Sequence, residues 1–372
     1  MPGWHAATEE FAEDGRLLNV GLIQEQHPDR ARLYLQWQSI DWPIMIDSLN
    51  RLDVNVVPIT LLIDENGIIR HRVGRGDARN TIEEFLAELA PEPLPPAERP
   101  TGSDPAIWGD IAQRDAAIAA LEKRLAADPD DGRAAFEAGV LYRRRYDEAG
   151  GDPADFELAV ARWGQAVAAD PNQYIWRRRI QQYGPRLEKP YPFYDWIPAA
   201  REAIEARGEV VPELIAEPGA AEIAQPIRSF DAALPAAGEP DPKGKTVRDD
   251  GKFVAAHSTV VPHTVRPGKS ARVHVEFRPL GEKAHWNNEA GGMTLWIDPP
   301  EGWKVDPQRI ERANPPEPVS DESRRIEFEI QAPEAAETIE LPVYALYYVC
   351  EGEKGACLYR RQDFGVPVRI KP

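Results

Sequence analysis

Cysteine is nearly absent: two residues in 372, Cys350 and Cys357, both near the C-terminus. Two thiols cannot complete a structural zinc site, which takes four ligands, but they can close one short-loop disulfide. Runs of about 20 apolar residues, as a membrane span requires, are missing. The opening Met1-Pro2-Gly3-Trp4-His5 lacks the basic-then-apolar pattern of a secretion signal, so the chain as written reads as soluble and without an export address. Basic charge is scarce: 44 Lys and Arg stand against 62 Asp and Glu, a net charge of −18. Such a surface repels phosphate backbones and excludes nucleic acid as a partner. The seven histidines (His5, His27, His71, His257, His263, His274, His285) form no i, i+4 pair and no His-Glu-x-x-His motif, so no metal site and no cofactor is expected. Gly74-x-Gly76 lacks the remainder of a phosphate-loop fingerprint.

What the chain has in excess is proline, 36 residues, which marks many segment boundaries. At roughly 150 residues per domain, two or three domains are expected. Residues 1–90 alternate strand and helix signals. Residues 17–23 form a short apolar run, 28–38 suit a helix opened by Pro28 and Asp29, and 43–47 suit a strand. Residues 56–63 run into Asp64-Glu65-Asn66-Gly67, a hairpin turn, and then into 68–73; a helix fits 77–89. Residues 91–104 read as a Pro-rich linker.

Residues 105–207 look helical and repeat themselves. The segment Ala119 to Pro129 recurs 42 positions later as Ala161 to Pro171, each ending in Ala-Asp-Pro. Helices of this kind resemble the tetratricopeptide repeat, with the surplus length placed in a loop at 147–153 and with Tyr142, Trp163 and Trp176 at the contacts. The clusters Arg143-Arg144-Arg145 and Arg177-Arg178-Arg179 read as solvated helix faces, and 183–196 as an aromatic loop capping the helices. Residues 208–245 form a second linker, rich in Pro, Ala and Glu, able to wrap a surface.

From residue 246 the pattern is alternating: 272–277, 293–297, 325–330, 343–349 and 364–370 read as strands between Pro and Gly turns, the signature of a β-sandwich over 246–372. His285, beside Trp286, reads as a turn residue, while His257 and His263 flank a strand edge. The fold class expected is therefore multidomain: an α/β region, an all-α helical repeat and an all-β sandwich.

Two resemblances sharpen this. Residues 1–90, with Val57-Pro58-Ile59-Thr60-Leu61-Leu62-Ile63-Asp64 and Gly67, resemble the thioredoxin fold of TlpA/ResA-type thiol reductases. The resemblance implies a cis peptide bond at Val57–Pro58, a site that faces the dithiol in that family. Residues 1–349 contain no Cys, so a domain of this kind would be inactive in dithiol exchange. Trp4-His5-Ala6-Ala7-Thr8 mimics the position of a Trp-Cys-x-x-Cys motif. However, too few residues separate Thr8 from Leu17 for the family's first helix. The better register makes Trp4 to Glu13 the tail of that helix and leaves the thioredoxin-like domain N-terminally incomplete, without its first strand and dithiol.

Residues 283–289 (Lys-Ala-His-Trp-Asn-Asn-Glu), 295–303, Tyr347-Tyr348-Val349-Cys350 and Cys357-Leu358-Tyr359 resemble the N-terminal periplasmic domain of the thiol:disulfide interchange protein DsbD. That resemblance implies an immunoglobulin-like sandwich. It also implies a redox pair, Cys350 and Cys357, that accepts electrons from a thioredoxin-like donor and passes them to protein thiol or disulfide partners in the periplasm or another extracytoplasmic space. The segment between the cysteines is one residue longer than in the best-known member. Tyr347, Tyr348 and Tyr359 are candidates to shield the sulfurs. Two functions follow as expectations: a thiol–disulfide relay, or a non-catalytic scaffold in which the repeats bind protein partners and the disulfide only staples a hairpin.

Overall fold

The computed structural model describes residues 2–74, 78–87, 104–187, 192–219, 222–223, 238–281, 284–335, 337–352 and 355–371. Most of the first linker (91–103), part of the second (224–237) and Lys283 lie outside the described residues. In chain order the elements begin α1 (Pro2–Glu13), β1 (Gly21–Ile23), α2 (Asp29–Gln38), β2 (Ile44–Ile46), β3 (Thr60–Ile63), β4 (Ile69–Val73) and α3 (Ala78–Ala87). The helices α4 (Pro105–Trp108), α5 (Ile111–Ala127), α6 (Gly132–Tyr146), α7 (Ala154–Ala169), α8 (Tyr174–Gln181) and α9 (Ile197–Ala206) follow. The rest is strand: β5 (Val254–Val261), β6 (Ser270–Pro279), β7 (Ala284–Asn287), β8 (Met293–Ile297), β9 (Lys304–Asp306), β10 (Arg309–Arg312), β11 (Val319–Ser320), β12 (Arg324–Gln331), β13 (Ile339–Glu351) and β14 (Cys357–Val368). Helices and a large antiparallel β region thus share one chain, in two compact units.

The first unit takes in Met1–Ala120, Asp170–Ile175 and Ile197–Ala216. β1 and β2 pair in parallel, β3 and β4 pair antiparallel, and the two pairs belong to separate two-stranded sheets. The apolar run at 17–23 becomes strand only over its last three residues, Gly21–Ile23. The Asp64 carboxylate caps the β3–β4 turn by accepting from the Asn66 and Ile68 amides, and Gly67 supplies the positive φ (+79°) that the turn requires. Phe11, Leu62 and Ile82 form a small core. Helix α2 is tied to the 197–216 segment: the Ile215 amide donates to Asp29, and Arg30 donates to the Ala216 carbonyl.

The second unit takes in Leu121–Ala169, Trp176–Trp196 and Glu217–Pro372. Two antiparallel sheets share one core. The order is β5-β6-β12-β9 in one and β10-β8-β13-β7-β11 in the other, with β14 on the remaining edge of β13. Alternation decides the faces. In β6, Val273, Val275 and Phe277 are buried in the core while Arg272, His274, Glu276 and Arg278 point away; in β12, Ile326, Phe328 and Ile330 point in while Arg325, Glu327 and Glu329 point out.

This polar outer face is not left to water. The α7 side and the 183–186 segment cover it: His274 Nε2 bonds the Tyr183 carbonyl (2.7 Å), the Arg186 amide donates to Glu329 Oε1 (2.8 Å), and Arg278 donates to the Gly151 carbonyl. The helices themselves pack tightly, with Tyr183 stacked on Trp163 at 5.5 Å and Phe136 on Trp176 at 5.8 Å. Here the reading of the arginine clusters needs correction. Arg143 and Arg179 are buried, not solvated. Arg143 pairs with Asp147 at 3.0 Å and lies over the rings of Tyr146, Phe156 and Tyr183, so aromatic faces and one carboxylate replace its hydration.

Candidate functional site

The β13–β14 hairpin builds the site. Its register runs from Ile339↔Val368 to Cys350↔Cys357, so the two cysteines are directly opposed at the turn end. They form a disulfide with Cα atoms 3.9 Å apart. Odd-numbered residues of β13 (Val343, Ala345, Tyr347, Val349) enter the core, which puts Tyr344, Leu346, Tyr348 and Cys350 on the outer face. The sulfur-bearing residues are unequal. Cys350 is 2% exposed, whereas Cys357 is exposed.

Three supports hold this end of the sheet. Behind it, Tyr347 donates to Asp249 Oδ2 (2.8 Å) and meets Trp286 edge-on at 5.6 Å. Burial pushes the Tyr347 phenol far up, and the adjacent Asp249 carboxylate adds to that, so it stays neutral as a donor. Farther along the outer face, the segment from 238 to 249 lies over the sheet. The Asp241 amide donates to Tyr344 Oη, Arg361 donates to Asp241, and the Val247 carbonyl and Asp249 amide bond Arg361 at the edge of β14. Tyr344, Leu346 and Trp296 form a separate buried apolar cluster on this face. Finally, Arg324, buried against the Trp286 ring at 4.4 Å, donates to the side chains of Asn288 and Asn314, which order the turn after β7.

Of the residues singled out in the sequence, four meet here. Tyr348 and Tyr359 are a cross-strand pair two positions from the disulfide and on its face, ring centroids 4.6 Å apart. Tyr347 points the other way, into the core, and does not shield the sulfurs. Val57 and Pro58 lie in the first unit, exposed, joined by a cis peptide bond. His257 is exposed and His263 half-buried; desolvation holds both imidazoles below their usual range, and the described residues contain no group of three or more His, Cys, Asp or Glu able to hold a metal.

The sequence reading missed one neighbour. His285 is not a turn residue: it sits in β7, and its register partner on β13 is Cys350. The signal was the alternation Ala284 and Trp286 inward, His285 and Asn287 outward, which is a strand pattern too short to stand out beside the turn-forming Asn287-Asn288. The hairpin therefore presents a closed disulfide between one exposed and one buried cysteine, with His285 of β7 as the register partner of the buried one.

No family model matches the chain, and no match to a curated protein was found. Among solved structures, the yeast GGA1 GAE domain is similar over 33% of this chain and 98% of its own, at 8% identity and a TM-score of 0.20. A Nocardia farcinica protein with an immunoglobulin-like fold is similar over 31% of this chain and 97% of its own, at 15% identity and a TM-score of 0.17. A FixG-related protein from Vibrio parahaemolyticus is similar over 30% and 94%, at 5% identity and a TM-score of 0.15. Likenesses this slight assign neither a family nor an activity.

Proposed function

We propose that this chain is a thiol–disulfide exchange protein of the bacterial envelope, working through Cys350 and Cys357 on an immunoglobulin-like sandwich. The observation that carries the reading is the unequal exposure of two directly opposed cysteines at the turn end of a hairpin. An incoming thiolate attacks the Cys357 sulfur in line with the S–S bond. A mixed disulfide forms at Cys357 and the bonding pair leaves on Cys350. The donor's second thiol, deprotonated, then attacks the mixed disulfide and releases the Cys357 thiolate. Two electrons and two protons pass from the donor dithiol to the pair. The donor class that fits is a thioredoxin-like dithiol protein, and an oxidising, extracytoplasmic space suits a chain whose two cysteines are both joined. Within this reading the 1–90 region is redoxin-like without a dithiol, and the helices of 105–207 are tetratricopeptide-like.

Thiol trapping tests it. The oxidised chain is mixed with a reduced thioredoxin-like donor, quenched with an alkylating agent and weighed by mass spectrometry. Both cysteines should become alkylated only with donor present. With a donor whose second thiol is replaced by Ser, the oxidised chain should be trapped as a mixed disulfide at Cys357, with Cys350 released as the free thiol. The competing reading, a scaffold with an inert staple, draws on the direct opposition of the cysteines, which closes the hairpin. Its disulfide should have a reduction potential below about −300 mV and stay oxidised beside the donor.

A further inference from the structure

Exchange at Cys357 leaves a negative sulfur in a poor place for one. Cys350 is 2% exposed, and a thiolate out of water is costly unless a cation or a proton donor stands beside it. The strand register shows what stands there. Cys350 has two direct partners on its row of the outer face, Cys357 on β14 and His285 on β7. Directly opposed residues of antiparallel strands bring their Cβ atoms to about 4.5–5.5 Å, within reach of an imidazole to a sulfur. No other titratable side chain of these strands shares that row. Tyr348 and Tyr359 are one same-face step along the hairpin, and Arg361, a further step, is held by Asp241 and Asp363. Glu351 falls on the opposite face and pairs with Lys252 at 3.5 Å. On the far side of β7 the Ser320–Trp286 pair is followed by the exposed Asp321.

We propose that His285 is the proton partner of Cys350: as imidazolium it stabilises the thiolate that leaves when Cys357 is attacked, and it gives that sulfur its proton. When the pair is reoxidised, the neutral ring takes the proton back as the Cys350 sulfur becomes the resolving nucleophile. No external reductant beyond the donor dithiol is needed, since the histidine moves only a proton. The inference rests on the exchange reading for its purpose, but the coupling between His285 and Cys350 can be measured without any partner.

The experiment uses the full chain carrying Cys357→Ser, which leaves Cys350 as its single thiol, and follows the ultraviolet absorbance of the thiolate against pH. His285→Gln should raise the titration midpoint by about one pH unit or more, the size expected when an adjacent positive charge is lost. His285→Glu should raise it further, and His285→Lys should return it to the value with histidine or below. Near-ultraviolet dichroism checks the fold of each variant; if the glutamine variant is disordered, the Lys-to-Glu comparison decides. Coincident midpoints across folded variants overturn the proposal. The two readings fail separately. A disulfide that neither dithiothreitol nor the thioredoxin-like donor can reduce in the folded chain ends the exchange reading, while the ordering of midpoints still reports the His285–Cys350 pair.

Discussion

Tyr348 and Tyr359 pack ring against ring across the hairpin, 37° from parallel, one same-face step from the disulfide. Burial raises the Tyr359 phenol, and Tyr348 adds to the rise, although 41% of Tyr359 remains exposed. The pair therefore behaves as a half-open cover. Tyr359→Ala removes the exposed member and should speed reduction of the disulfide by a small dithiol several-fold, with little change in global stability. Stopped-flow reduction kinetics on the oxidised chain check it. An unchanged rate would mean that the rings pack the sheet without covering the sulfurs.

The disulfide closes a short loop, its ends seven positions apart in sequence. On the chain-entropy account such a closure contributes about 2.5 kcal/mol. The double replacement Cys350→Ser, Cys357→Ser should lower the unfolding free energy by about 2–3 kcal/mol and leave the sandwich folded, since its core is supplied by residues such as Val273, Phe328 and Val343. Urea titrations of the oxidised chain and the double variant give the difference. A loss of cooperative unfolding in the variant would assign the disulfide to the fold itself.

Two glycines of the helix pair make opposite predictions. A Cβ on Gly139 would meet Trp163 Cδ1 and Nε1 at 2.5 Å, so α6 and α7 approach as closely as they do because that position has no side chain. Gly139→Ala should cost about 1–3 kcal/mol through overpacking. Gly164, in α7, has nothing within 4 Å of the same construction. Gly164→Ala should stabilise by about 0.5–1 kcal/mol, the usual gain of alanine over glycine inside a helix. Thermal unfolding of both variants checks the signs.

Much of the sandwich was legible in the sequence because period-two alternation survives wherever one face is buried. The runs at 272–277, 293–297 and 325–330 all fall inside strands. The long hairpin was harder. Its second strand begins at Cys357, well before the apolar run at 364, because Leu358 to Asp363 alternate a partly buried edge with charge that the 238–249 segment covers. The arginines misled for a related reason. A charge cluster reads as solvated unless the fold brings carboxylates and aromatic rings from distant positions, and Arg143 draws on Asp147 nearby but also on Phe156 and Tyr183. The disulfide pair was legible from composition alone. The imidazole beside it was not, because a cross-strand neighbour 65 residues away in sequence is set by register.

The polar face between helices and sheet gives a pH prediction with a definite sign. Burial pushes the Glu327 carboxyl up, but His274 Nδ1 at 3.0 Å and Arg272 Nε at 2.9 Å together outweigh it, and the group ends well below its ordinary value of 4.5. A carboxyl depressed on folding contributes stability that is complete above the unfolded value. That contribution is lost as pH falls through the folded value, because the unfolded chain takes up the proton first. Below a pH of about 4.5 the unit built on β6 and β12 should therefore weaken progressively. Glu327→Gln removes that titration, so its unfolding free energy should start lower at neutral pH and fall less steeply on acidification. Urea unfolding at a series of acidic pH values checks it. Equal slopes for the two proteins would show that Glu327 is no longer the carboxylate that His274 and Arg272 hold, and the docking of the 183–186 segment would have to depend on Glu329 instead.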